Sequence, residues 1–185
     1  FVSFLNFVMY CERVKSEMKE KPSLLDQRII DCINANFEIK VTILAFLPWG
    51  ADNNAWVYKA TASDQACYFI KLKRDHHLEL SAALTRILFD AGISEIIPPL
   101  YTTQGHATQF IDDFSLTVYP FIEGVNGFNQ NLTDKQWVLL GKALRQVHEM
   151  AIPLSIQNQI RVEAYSPQWR IAVRELYLQM EIERE

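Results

Sequence analysis

Three short β-prone runs with only turn formers between them constrain this chain more than any other feature. They occupy residues 39–47, 55–60 and 66–72, joined by Pro48-Trp49-Gly50-Ala51-Asp52-Asn53-Asn54 and by Ser63-Asp64-Gln65. Connections this short can reverse a chain but cannot carry it back across a sheet, so the runs predict an antiparallel meander. In the third run Tyr68, Ile70 and Leu72 share one face, and Phe69, Lys71 and Lys73 share the other.

Helical signals flank the meander. Ser23, after Pro22, is the expected N-cap of a stripe formed by Leu25, Ile29, Ile30, Ile33 and Phe37. A second helix is predicted over residues 77–91, with Gly92 as its C-terminal cap. Pro98 and Pro99 lead into a short strand expected at 100–103. A polar hairpin region with Gly105 and Asp112-Asp113 then precedes a strand at 114–121. Beyond it the pattern turns helical. Thr133 and Gln136 form a capping box, and Trp137, Leu140, Gly141, Leu144, Val147 and His148 continue as a stripe, with His148 read as a core histidine. Pro167 opens a last helix with Trp169, Val173, Leu176 and Met180 on its apolar face. The expected class is α+β: a five-stranded antiparallel sheet plus helix over 23–122, preceded by a leader outside the folded unit (1–22). Residues 123–185 are read as a hinge and the start of a helical part.

Composition closes off some functions. A formal net charge of -4 argues against a nucleic-acid partner, which usually demands a basic stripe. The apolar start, FVSFLNFVMYC, is shorter than the roughly 20 residues that span a bilayer, so no membrane partner is expected. Cys11, Cys32 and Cys67 share no metal-ligand spacing and read as idle thiols of a reducing compartment, which places the protein in the cytoplasm.

The order of helix, three strands, helix, two strands and connector to helices is that of a kinase small lobe. WGADNNAWVY falls between the first two strands, where backbone N–H groups can cover nucleotide phosphates. Lys71 stands on the third strand, as the phosphate-pairing lysine of protein kinases does. Together WGADNNAWVY, YFIKLK, YPFIEGVNGFNQNLTDKQWVLLGKALRQVHEM and YSPQWR resemble the aminoglycoside phosphotransferase family over residues 23–183.

That resemblance implies a two-lobed kinase using ATP with Mg²⁺. The acceptor would be a hydroxyl of a small-molecule antibiotic, an aminocyclitol or aminoglycoside such as spectinomycin, and the outcome resistance. It implies a nucleotide site in which Lys71 positions the phosphates and Glu79 orients Lys71. Gly50, Asp52, Asn53 and Asn54 would form the covering loop, and the backbone at Phe121 and Ile122 would hold the adenine. The loop departs from the fuller pattern, with one glycine and a bulky Trp49.

Plainer readings stay open beside these. Gly50, Asn53 and Asn54 also suit a simple hairpin turn, and Glu79 suits the first turn of any helix. Lys71 suits a solvated strand face, and Phe121 and Ile122 a core strand. The same scaffold also serves choline, homoserine or sugar-amine acceptors, and a non-catalytic remnant that binds nucleotide fits as well. The family's catalytic histidine-x-aspartate loop has no counterpart. His76, His77, His106 and His148 are followed two positions on by Leu78, Glu79, Thr108 and Met150, and no aspartate follows Asp134. No catalytic or metal-ligating residue is therefore assigned in this chain. The last helix runs out through Glu181, Glu183 and Glu185 without a cap, so the catalytic half is expected further on.

Overall fold

The computed structural model describes residues 19–48, 50, 52–74, 78–124, 131–160, 162 and 167–182. They divide into two compact units that meet in sequence at Ile152 and Pro153. The first runs α1 (Asp26–Asn36), β1 (Val41–Leu47), β2 (Ala55–Ala62), β3 (Cys67–Lys73), α2 (Leu78–Asp90), β4 (Gln109–Ile111), β5 (Phe114–Pro120) and α3 (Asp134–Glu149). The second holds α4 (Leu154–Gln157) and α5 (Pro167–Ile182), the latter opening on proline as expected. Ile171 and Val173 of α5 are exposed, whereas the side chains of Trp169, Leu176 and Met180 lie outside the described residues.

The sheet is antiparallel throughout, with strand order β1-β2-β3-β5-β4. Two of its turns place a non-glycine residue at positive φ. Between β2 and β3, Gln65 takes a φ of 68° while the Asp64 carboxylate accepts the N–H of Ala66 at 3.0 Å. Between β4 and β5, Asp112 sits at φ 49°, a left-handed conformation that aspartate tolerates better than most residues. Its carboxylate also takes two hydrogen bonds from Arg28 of α1, at 2.6 and 3.0 Å.

One face of the sheet carries the core. Tyr58, Ile70, Leu72, Leu116 and Val118 are fully buried there against Ile29 and Ile33 of α1 and Phe37 just after it. The helix reaches both β1 and β4, the two edge strands, so it lies across the whole sheet. Trp56 meets Phe114 edge-on at 5.6 Å, and Phe46 packs on Tyr58 at 5.3 Å. The Asn34 side chain pins the way from α1 into β1, accepting the N–H of Val41 at 2.7 Å and donating to its carbonyl at 3.2 Å.

A smaller core joins α2 and α3 through Leu88, Ile93 and Ala143, flanked by Leu84, Ile96, Val147 and Met150. The end of α2 explains part of it. Gly92, at φ 95°, lets its own N–H reach Phe89 O at 2.9 Å and that of Ile93 reach Leu88 O at 3.2 Å. This double closure brings Ile93 back onto Leu88. At the other end, Thr133 and Gln136 form the expected capping box on α3.

Four expectations need correction. Residues 100–103 are not a strand, because Pro98 and Pro99 lack N–H donors and a tight turn takes up the residues after Tyr101. There Thr102 donates to His106 O at 2.8 Å, and Gly105 donates to Thr102 O at 2.9 Å. The short strand is Gln109–Ile111 instead. Ser23 does not cap α1, whose N-cap is Leu25 without a side-chain bond. His148 is exposed and not a core residue, because α3 turns Ala143 and Val147 toward α2. For the same reason Trp137 and Leu140 of the expected stripe are 58% and 36% exposed, beside the exposed Val138 and Leu139.

Since the sheet core rests on a few fully buried aliphatic chains, Leu72→Ala should destabilise the first unit by about 2–5 kcal/mol. Ile43→Ala, at a position 60% exposed on β1, should change stability by under about 0.5 kcal/mol. Urea unfolding of the two variants followed by circular dichroism checks the contrast.

Candidate functional site

The face of the sheet turned away from α1 carries the polar residues. Strand register decides its layout: Lys71 stands beside Val57 of β2 and Thr117 of β5. By the same alternation Phe69 and Lys73 flank Lys71 on β3, opposite Tyr119 and Ser115. Val57, Ser115 and Thr117 are buried, whereas Phe69, Lys71 and Lys73 are half-buried. The Thr117 hydroxyl is shut from solvent without a hydrogen-bond partner among the described groups.

At one end of this face the aromatic residues gather. Phe69 and Tyr119 have ring centroids 6.3 Å apart. The Lys59 ammonium stands 4.3 Å above the ring of Phe121 and 4.0 Å from the Glu123 carboxylate. Phe121, just past β5, is still tied to β3, since its N–H donates to Cys67 O at 3.1 Å. The segment beyond is open: Ile122 is 61% exposed, and Glu123 and Gly124 are exposed too.

At the other end lies the β1–β2 connection. Gly50 is exposed at φ 105°, a conformation that only glycine takes without strain, and no atom lies within 4 Å of where a Cβ would stand. Asp52 ties the returning arm. Its carboxylate accepts the N–H of Asn54 at 3.0 Å and faces Lys73 Nζ at 3.6 Å, and its carbonyl accepts the N–H of Ala55 at 3.1 Å. The Asn54 carbonyl accepts the N–H of Arg74 at 2.9 Å. Asn53 is an exposed turn residue. Trp49 and Ala51 lie outside the described residues, as do the side chain of Glu79 and with it the expected Lys71–Glu79 pairing.

The structure thus brings Lys71, Asp52 and Asn54 onto one half of the sheet face and its bordering loop, with Phe121 and Ile122 at the far strand end. Alternation alone already placed Phe69 and Lys73 beside Lys71. Lys59 escaped sequence reasoning, because only the β2–β3 register reveals that it shares their face. Lys19 and Glu20 escaped it too, in a stretch read as leader. The Glu20 carbonyl accepts the Trp56 indole N–H at 2.9 Å, and Lys19 donates to the carbonyls of Asp52 and Ala55. Among the described residues, no three His, Cys, Asp or Glu side chains come together. No described helix is long and apolar enough to cross a membrane.

No protein-family model and no curated protein sequence matches the chain. Solved structures do. A spectinomycin phosphotransferase, APH(9)-Ia, in complex with ADP and spectinomycin superposes with a TM-score of 0.75 at 44% identity, over 85% of this chain and 48% of that one. The chain is a relative of spectinomycin phosphotransferase. The match falls on the N-terminal half of that enzyme, so this chain spans about half the length of the relative. The AMP-bound form of the same phosphotransferase agrees at 42% identity and a TM-score of 0.69, over 83% of this chain and 46% of that one. An amicoumacin kinase, hAmiN, bound to AMP-PNP, Ca²⁺ and its antibiotic is 18% identical with a TM-score of 0.56. It covers 88% of this chain and 55% of that one, and it supports the fold alone. The sheet and its helices are the kinase-like aminoglycoside phosphotransferase fold.

Burial pushes the Tyr119 phenol up to about 12, and burial followed by the nearby Asp26 carboxylate raises that of Tyr58. An unfolded tyrosine ionises near pH 10. The folded state therefore keeps protons that the unfolded state releases, and stability should fall as pH rises from about 10 toward 12. Tyr119→Phe should lessen that loss while leaving stability near neutral pH within about 1 kcal/mol. Urea midpoints across that pH range, with tyrosinate absorbance followed in parallel, check it.

Proposed function

We propose that this chain is the nucleotide-binding lobe of a cytoplasmic ATP-dependent phosphotransferase whose acceptor is a hydroxyl of an aminocyclitol or aminoglycoside antibiotic, spectinomycin first among them. The observation that carries the reading is the 44% identity to a spectinomycin phosphotransferase crystallised with ADP and spectinomycin. Lys71, on β3 beside an unpartnered Thr117 hydroxyl, supports it.

In this reading Lys71 meets the nucleotide phosphates, and its half-buried position strengthens that contact over one in open water. Phe69 and Tyr119 face the base, and the backbone from Ile122 onward offers the donors that Phe121 has already committed. Gly50 lets the loop backbone come close to phosphate. Glu79 stands on the helix that follows Lys71 and remains the proposed orienter of that lysine. The bound nucleotide supplies the γ-phosphoryl group, with Mg²⁺ to spread its charge. The resemblance puts the acceptor base and metal ligands on a histidine-x-aspartate loop and a later aspartate that these 185 residues do not contain, so in this reading the chain alone binds nucleotide without transferring phosphate.

The chain should bind ATP in the presence of Mg²⁺ by titration calorimetry. Lys71→Ala should weaken binding about tenfold or more with an unchanged circular dichroism spectrum. Affinity indifferent to Lys71 would remove the nucleotide role. Phosphate transferred to spectinomycin by this chain alone would contradict the division of labour proposed here.

A further inference from the structure

The arm of the β1–β2 loop that returns into β2 is held from two directions through a single residue. From the sheet face turned away from α1, Lys73 approaches the Asp52 carboxylate at 3.6 Å. From ahead of α1, the Lys19 ammonium donates to the Asp52 and Ala55 carbonyls. Lys19 is itself seated on the indole of Trp56, 5.5 Å from the ring centre. Arg74 lies 5.6 Å from the same ring and 5.4 Å from Phe114. The Glu20 carbonyl then takes the indole N–H. Trp56 and Phe114 belong to the buried core, so the anchor of Lys19 is the rigid part of the sheet.

These contacts exceed what a two-strand turn needs. The turn closes on its own through the Asp52 carboxylate to the Asn54 N–H and the Asp52 carbonyl to the Ala55 N–H. Lys19 adds charge-assisted bonds to the Asp52 carbonyl, already engaged in the turn, and to the Ala55 carbonyl, and Lys73 brings a cation to a carboxylate already used by the Asn54 N–H. Partial burial lowers the Lys19 ammonium's pKa, with the Asp52 charge opposing.

We infer that Asp52 is a latch residue and that Lys19 and Lys73 are positioning residues that fix the returning arm of the loop against the strand bearing Lys71. Neither need touch the ligand. Lys73 neighbours Lys71 on the same face, so the latch ties loop position to the residue proposed to meet phosphate. The consequence for nucleotide affinity rests on the proposed function, whereas the latch itself does not.

Two readouts on the 185-residue chain separate the two. In Lys19→Met, amide hydrogen exchange at Asn54, Ala55 and Arg74 should speed up about tenfold, with exchange across β3 and β5 unchanged. ATP affinity should fall about tenfold, and Lys19→Arg should restore most of both effects. Asp52→Asn keeps an acceptor for the Asn54 N–H but loses the charge. Its effect on ATP affinity should therefore be non-additive with that of Lys73→Met. Unaltered exchange at those three amides in Lys19→Met would overturn the latch. Faster exchange with unaltered ATP affinity would overturn its positioning role. If the unmodified chain and Lys71→Ala both ignore ATP, the nucleotide reading fails, and the exchange data alone still decide the latch.

Discussion

Because successive side chains of a strand point to opposite faces, the burial of Ile70 and Leu72 against α1 leaves Lys71 only one place to stand. A slip of one residue in β3 would drive a lysine into the core beneath Ile29 and Ile33, a cost of several kcal/mol. The hydrophobic face thus sets the register of β3 against β2 and β5. That register in turn seats Lys71 beside Thr117 and sets Phe69 against Tyr119. Packing on one side of the sheet determines the chemistry available on the other.

Much of this was written in alternation and turn residues. The meander, the capping box of α3, the glycine closure of α2 and the proline that opens α5 all arise from local signals with a period or a motif. What escaped depended on partners remote in sequence. Lys59 meets Phe121 and Glu123 only once β2 has paired with β3 and β3 with β5. Lys19 draws its contacts from a strand more than thirty residues away, and no periodicity announces that. His148 and Trp137 went astray for a related reason. A stripe on a helix says that one side is apolar, but which residues are covered depends on the neighbour, and α2 meets α3 at Ala143 and Val147.

The candidate site shows the same split. Lys71 could be located by counting along one strand, whereas the duties of the loop could not. Asp52 and Asn54 look alike in sequence, two polar turn residues near a glycine. In the structure Asp52 is bound by side chain and carbonyl together, and Asn54 gives both its N–H and its carbonyl to neighbours. Backbone groups engaged in this way serve the shape of the loop. The end of β5 divides its duties similarly, with the Phe121 N–H tied to Cys67 and Ile122 beginning the exposed segment.

The first turns of α3 carry a property of another kind. Trp137, Val138, Leu139 and Leu140 follow one another, so they point all round the helix, and each is at least a third exposed. An apolar collar of this form attracts its own kind as readily as anything else. The collar therefore makes concentration-dependent self-association an expected outcome, which sedimentation of the chain across a dilution series checks.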